Sequence, residues 1–201
     1  MKFIKNLFRP VLSDIEIKKY IKKGLLFKTP IKDDSIQPNS VDLSIGYIAK
    51  EISSNSFDDK MEYIDCNKCM AYNRKRFLQD SNEKLYYILQ PGEFVLLASK
   101  EILNIPNGII AFVQGRSSIA RIGIQTEQAG LIDSGFNGTI TFEVYNETKY
   151  PIKIYEKMRI AQVYFFKSQY SEILYGDKRR FSKYQNQIDP TGSLINRDFT
   201  K

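Results

Sequence analysis

The chain has 201 residues, enough to bury roughly 70% of the surface its unfolded state exposes and so to build a core without staples. Its 42% hydrophobic and 26% charged residues exclude wholesale disorder, and 30 basic against 23 acidic side chains leave a formal charge of +7 that favours an anionic partner. Histidine is absent, which excludes every imidazole-based mechanism, and two cysteines cannot make a disulfide framework. Residues 1–10 lack both a long apolar run and a small-residue cleavage site, and no stretch approaches the ~20 apolar residues of a membrane span. These features predict a single domain over residues 1–201, working in the cytoplasm.

The first predicted element is a helix. Ser13 and Glu16 have the spacing of a capping box, Leu12 and Ile17 that of a hydrophobic staple, and Gly24 is a natural stop. Ile17, Tyr20 and Ile21 share one face, and Lys18, Lys19, Lys22 and Lys23 look away from it as a solvated face. From Pro30 the pattern changes to strands. Val41, Leu43 and Ile45 alternate with Asp42, Ser44 and Gly46, which predicts a strand with one face buried. Residues 51–84 are polar, rich in lysine and asparagine, and weakly patterned, so they read as a variable insertion with a hairpin or a short helix. Within it, Cys66 and Cys69 form a Cys-x-x-Cys without the second ligand pair a closed zinc site needs, and are expected to be ordinary thiols.

Further short runs at 85–89, 94–98, 109–113, 139–145, 152–155 and 159–166 are separated by Pro91-Gly92, Pro106-Asn107-Gly108, Asn137-Gly138 and Asn146. Many short strands at such spacing predict an all-β sandwich or barrel. The stretch from about residue 170 is polar and basic, with the composition of a chain terminus that is either mobile or folded over an anionic ligand.

Three segments carry more polar side chains than strands and turns need. Gly115-Arg116-Ser117-Ser118-Ile119-Ala120-Arg121 offers guanidinium and hydroxyl donors suited to phosphate oxygens; read alone it serves equally well as a polar turn with an ion-paired arginine. Ala129-Gly130-Leu131-Ile132-Asp133-Ser134-Gly135 reads as a close-packed hairpin whose aspartate either faces a ligand or caps the turn. In Thr139-Ile140-Thr141-Phe142-Glu143-Val144-Tyr145, strand alternation separates Ile140, Phe142 and Val144 from Glu143, which then faces solvent, an interface or a site.

In this order, Gly115-Arg116-Ser117-Ser118 and Ala129-Gly130-Leu131-Ile132-Asp133 resemble the motifs of the trimeric dUTPases and dCTP deaminases. Thr141-Phe142-Glu143-Val144-Tyr145-Asn146 is similar to the dCTP deaminase branch, which has its catalytic glutamate there. Leu12-Ser13-Asp14, Gln37-Pro38-Asn39-Ser40-Val41-Asp42-Leu43, Pro91-Gly92-Glu93-Phe94, Met158-Arg159-Ile160-Ala161-Gln162 and Lys183-Tyr184-Gln185-Asn186-Gln187 extend the resemblance over residues 11–195. It implies a mainly β fold, a distorted jelly-roll or β-barrel of the trimeric dUTPase type with an N-terminal helix and a few short helices.

The resemblance also implies a reaction. Zinc deaminases need a His/Cys/Cys or three-cysteine ligand set, which this composition cannot supply. In the metal-free branch one glutamate, here Glu143, takes the proton of the attacking water and redelivers it. Arg121 would pair with Glu143 and keep it ionised, while Ser117 and the carbonyl of Ala129 position the water. Arg116 and Ser118 would hold phosphates with Tyr175, Lys183 and Gln187, and Ala129 and Gly130 would line the substrate. Magnesium (Mg2+) would arrive on the triphosphate, and residues 170–201 would close over the nucleotide. The implied partners are dCTP and dUTP in a homotrimer with shared sites, and neither nucleic acid nor membrane.

The product is the open point. Deaminases that stop at dUTP usually read Ala-His-Arg-Ile-Asp-Pro-Gly in the hairpin, where this chain has Gly130, Leu131 and Ser134 in place of histidine, arginine and proline. The pattern here resembles both the dUTPases and the bifunctional, dUMP-forming deaminases, in which the hairpin aspartate, Asp133, helps place a water for attack on the triphosphate. Deamination to dUTP alone, a plain dUTPase and a non-catalytic nucleotide sensor are the alternatives. Residues 190–201 contain only Gly192 and Phe199 of a dUTPase-type Gly-rich, Phe-containing arm, and the intact Ser117, Arg121 and Glu143 set counts against a sensor.

Overall fold

The computed structural model describes residues 10–53, 64–126 and 129–200; the N-terminal expectation for residues 1–9 and part of the insertion lie outside them. Helix α1 (Asp14–Lys22) begins and ends where its sequence says. The Ser13 hydroxyl accepts the Glu16 N–H at 3.4 Å and the Glu16 carboxylate accepts the Ser13 N–H at 3.2 Å, which closes the capping box. Leu12 and Ile17 are fully buried, and Gly24 ends the helix in the left-handed region at φ 71°. The four lysines are exposed, as expected of a solvated face.

The rest is mainly β. The strands are β1 (Leu26–Phe27), β2 (Val41–Ile52), β3 (Tyr72–Arg76), β4 (Leu78–Gln79), β5 (Leu85–Leu89), β6 (Phe94–Ser99), β7 (Leu103–Asn104) and β8 (Ile109–Gly115). After the one-turn helix α2 (Ser117–Ala120) come β9 (Ile124–Thr126), β10 (Leu131–Ile132), β11 (Asn137–Gly138), β12 (Thr141–Asn146), β13 (Ile152–Tyr155) and β14 (Arg159–Lys167). The principal sheet runs β10-β8-β14-β2-β6-β12-β9 with β3 on the free edge of β2, and two small sheets, β1-β7-β11 and β13-β5-β4, flank it.

Strand β2 is the hinge of this arrangement. Val41 to Ser44 pair with β14, whereas Lys50 faces both Leu96 of β6 and Arg74 of β3, with a register shift between Ile45 and Ala49. One strand thus belongs to two differently oriented halves, and the sheet curls round the core formed by Leu43, Ile45, Leu97, Phe142 and Phe165, all fully buried.

Two expectations change. The alternation at 41–45 predicts one buried face, but both are buried, with Asp42 only 2% exposed. A buried carboxylate needs partners, and Asp42 has the Arg116 Nε at 3.4 Å, the Arg159 Nη1 at 3.3 Å and the Gln37 amide at 3.4 Å. The 129–135 segment is not a self-paired hairpin: β10 pairs with β8, and β11 pairs with β7 in another sheet. The crossing between sheets is held by the buried Ser134 hydroxyl, which donates to the Ile109 carbonyl, and by Gly135 N–H donating to Ile105 O at 2.9 Å. The described part of the insertion contains strands β3 and β4 and no helix, and its two thiols are exposed and free.

The Pro91-Gly92-Glu93-Phe94 turn is locked by Glu93, whose carboxylate accepts the Gln90 N–H at 2.6 Å and the hydroxyl of the buried Tyr87. Burial, then the hydrogen bond to Glu93 and its negative charge, raise the Tyr87 pKa. The folded value thus lies above the ordinary value of about 10. Its stabilising contribution is present below that pH and is lost as pH rises through the folded value, because only the unfolded chain sheds the proton readily. In urea unfolding from about pH 8 to about pH 11, Tyr87→Phe should cost about 1 kcal/mol at the lower pH and flatten the alkaline loss of stability.

Candidate active site

A cavity of about 400 Å3 opens on one face of the principal sheet, within the size range of small-molecule sites. Its floor comes from two paired strands. Antiparallel register sets Glu143 of β12 opposite Leu96 of β6, and Phe94, Leu96, Thr141 and Glu143 all line the cavity. The alternation in β12 holds: Phe142 and Val144 point into the core, and the half-buried Glu143 points the other way.

One wall is the crossing segment, which contributes Ala129, Gly130, Leu131, Ile132, Asp133 and Phe136. Gly130 is required there by close approach. Its carbonyl accepts the Val113 N–H at 2.8 Å, and a Cβ would collide with the Val113 carbonyl oxygen. Asp133 follows β10 directly and is exposed at the cavity rim.

The cover is the C-terminal segment, which has little regular structure beyond a 3-10 turn at Ile195–Asp198. It runs alongside residues 134–141, tethered by Tyr175 N–H to Ser134 O at 2.9 Å, Asn186 N–H to Asn137 O at 2.7 Å and Thr139 N–H to Gln187 O at 2.9 Å. Tyr175 packs its ring on Phe136 with centroids 5.7 Å apart, and its hydroxyl accepts the Tyr184 N–H at 3.0 Å. The Gln187 amide donates to Thr139 O at 2.6 Å, while its buried Oε1 has no hydrogen-bond partner.

Of the residues singled out in the sequence, Glu143, Asp133, Ala129, Gly130, Tyr175 and Gln187 therefore line one cavity. Arg116, Ser117, Ser118, Arg121 and Lys183 do not. Arg116 is tied to Asp42 and donates to Arg159 O at 3.2 Å; Ser117, Ser118 and Arg121 sit exposed on or beside α2. Lys183 is ion-paired with Asp198 at 2.6 Å. Among the described residues the cavity lining thus contains two carboxylates and no cationic side chain. Among the described residues no three of Asp, Glu or Cys gather as a metal-binding group.

Sequence reasoning missed Tyr72, Thr141, Tyr184, Thr191 and Ser193, which also line the cavity. Tyr184 lies inside a quoted motif, and Thr141 shares the strand face of Glu143, so both had a signal. Tyr72 had none, because it sits in the weakly patterned insertion.

A family model described as dCTP deaminase-like matches residues 11–168. The chain is 39% identical over 188 residues to a Sulfurihydrogenibium protein named "dCTP deaminase, dUMP-forming", covering 92% of this chain and 97% of that one. It is 41% identical over 199 residues to the protein of the same name from Dictyoglomus thermophilum, covering 95% and 97%. The crystal structure of 2'-deoxycytidine 5'-triphosphate deaminase from Agrobacterium tumefaciens superposes with a TM-score of 0.61 at 22% identity over 79% of this chain, a likeness of fold; the chain spans about half, 48%, of that structure's length.

Gly130→Ala should force the cavity wall off β8 and lower stability by about 1–3 kcal/mol in thermal unfolding, whereas Leu131→Ala at the exposed neighbour should stay within about 0.5 kcal/mol.

Proposed function

We propose that this chain, which belongs to the dCTP deaminase-like family, converts dCTP and two waters to dUMP, ammonia and diphosphate. The observation that carries this reading is that Glu143 and Asp133 line the same cavity. Two carboxylates suit two successive hydrolyses at opposite ends of one nucleotide, and the relatives' shared name supports dUMP as the product.

Deamination requires water to add to C4, a proton to reach N3 and the C4–N4 bond to break. Glu143 takes the proton from the attacking water and delivers it to N3, then carries the proton of the new C4 hydroxyl to the amino group, which leaves as ammonia as the C4=O bond forms. The apolar floor around it, Phe94, Leu96 and Ile140, excludes competing water and receives the base. Asp133, at the rim, orients a second water for attack on the α-phosphorus, with diphosphate leaving. Because the open atom of Gln187 is an acceptor, it suits a hydroxyl or amino donor of the nucleoside rather than a phosphate oxygen, a refinement of the role the resemblance implies.

Among the described residues none that lines the cavity is a cation for a triphosphate, while Arg116, Ser117, Ser118 and Arg121 lie together at α2, off the cavity. This separation supports a homotrimer in which α2 of one subunit completes the cavity of the next, bringing Arg121 to Glu143 and the phosphates to Arg116 and Ser118. Magnesium would arrive with the triphosphate and would offset its negative charge. The compartment in this reading is the cytoplasm, where its nucleotide substrate would be met; no helix among the described residues is long and apolar enough to cross a membrane.

Incubation with dCTP and Mg2+, with products resolved by ion exchange, should give dUMP and diphosphate without lasting dUTP; unreacted dCTP would refute the reading. Glu143→Gln should slow ammonia release by at least about a hundredfold, with dCTP still bound in equilibrium dialysis. Asp133→Asn should let dUTP accumulate while ammonia release continues.

A further inference from the structure

The C-terminal segment lacks a strand ladder where it crosses the cavity, so its backbone N–H groups need other acceptors. Over residues 191–194, three of them find side-chain hydroxyls. Thr191 N–H donates to Thr141 Oγ1 at 3.1 Å, Ser193 N–H to Tyr72 Oη at 3.0 Å and Leu194 N–H to Tyr184 Oη at 3.2 Å. Thr141 lies two residues before Glu143 on the same strand face. Residues 191–194 therefore close the end of the cavity at which Glu143 sits.

Tyr72 differs from the other two acceptors in its origin, since it comes from the insertion. Strand β3 adds to the edge of β2 with Tyr72 opposite Ile52, and Lys75 fixes the register through an ion pair with Glu51 at 2.7 Å. The Tyr72 ring also lies against Gly192, where a Cβ would collide with three of its carbons. One side chain thus supplies both a hydrogen-bond acceptor and a packing surface to the covering segment.

We propose that Tyr72 is a positioning residue, the clasp by which the insertion holds the C-terminal segment closed over Glu143. It acts through Gly192 and Ser193. The inference rests on the nucleotide-hydrolase reading for its kinetic consequence, but the clasp itself is measurable without substrate. If the clasp is lost, substrate must bear the cost of ordering the segment, so apparent affinity falls by the fraction of molecules already closed, while the saturated complex still closes and turns over.

The test combines amide hydrogen exchange across residues 189–198 in the nucleotide-free protein with steady-state kinetics on dCTP and Mg2+. Tyr72→Ala should speed exchange at Ser193 and Leu194 and raise KM about tenfold with kcat within about twofold, and Tyr72→Phe, which keeps the ring, should show a smaller rise. Gly192→Ala should reproduce the Tyr72→Ala effect, and the double variant should be no worse than Gly192→Ala alone, because removing the ring makes room for the methyl. Unchanged exchange in Tyr72→Ala would overturn the clasp. A fall in kcat at constant KM would also overturn it, since that is the mark of a smaller folded fraction. If the wild-type chain leaves dCTP untouched, the functional reading fails, and the exchange data alone decide the clasp.

Discussion

The ion pairs of Asp42 are the interaction on which the architecture turns. A carboxylate that is 2% exposed costs several kcal/mol to bury, and removing one partner of such a group typically costs about 3–5 kcal/mol. Its partners come from two other places in the chain: Arg159 opens β14, and Arg116 follows β8 at the entry to α2. Arg159 also binds Asp34, at 2.7 Å, and so ties in the turn before β2. One buried charge therefore joins the ends of the three strands β2, β8 and β14 and fixes where α2 begins. Since Arg116 and Ser118, at the start of α2, are the two side chains there that are proposed to meet phosphate, the same interaction that orders the sheet also sets where they stand.

The cavity illustrates a division of labour by charge. Its lining is largely apolar, with two carboxylates and several hydroxyls, which suits a neutral base and sugar but repels phosphate. The cations sit elsewhere on the chain. The proposed function therefore has a second copy supply the cations, which would make assembly part of the active site rather than an addition to it. The C-terminal segment completes the enclosure from the same chain, following residues 134–141 through one hydrogen bond after another.

The sequence was most legible where contacts are short in chain distance. Capping at Ser13 and Glu16, the stop at Gly24 and the alternation that sends Glu143 away from Phe142 and Val144 are all set by residues within four positions of each other, so pattern suffices to read them. The motif resemblance named Asp133, Ala129, Gly130, Tyr175 and Gln187 from separate stretches of the chain, and the fold brings all five to one cavity. It was least legible at β2, where alternation predicted a solvent face. Period two reports on polarity, and it is silent about whether arginines from elsewhere will cover the polar side.

By itself, then, the sequence determined a mainly β chain with one capped helix, the absence of histidine chemistry and the strand face of Glu143. Tertiary structure alone decided which groups share a wall. Asp42 meets Arg159 across 117 positions, and Ser193 meets Tyr72 across 121. Such pairs depend on sheet register and on where a curled strand changes partners, quantities summed over the whole fold and written in no local pattern.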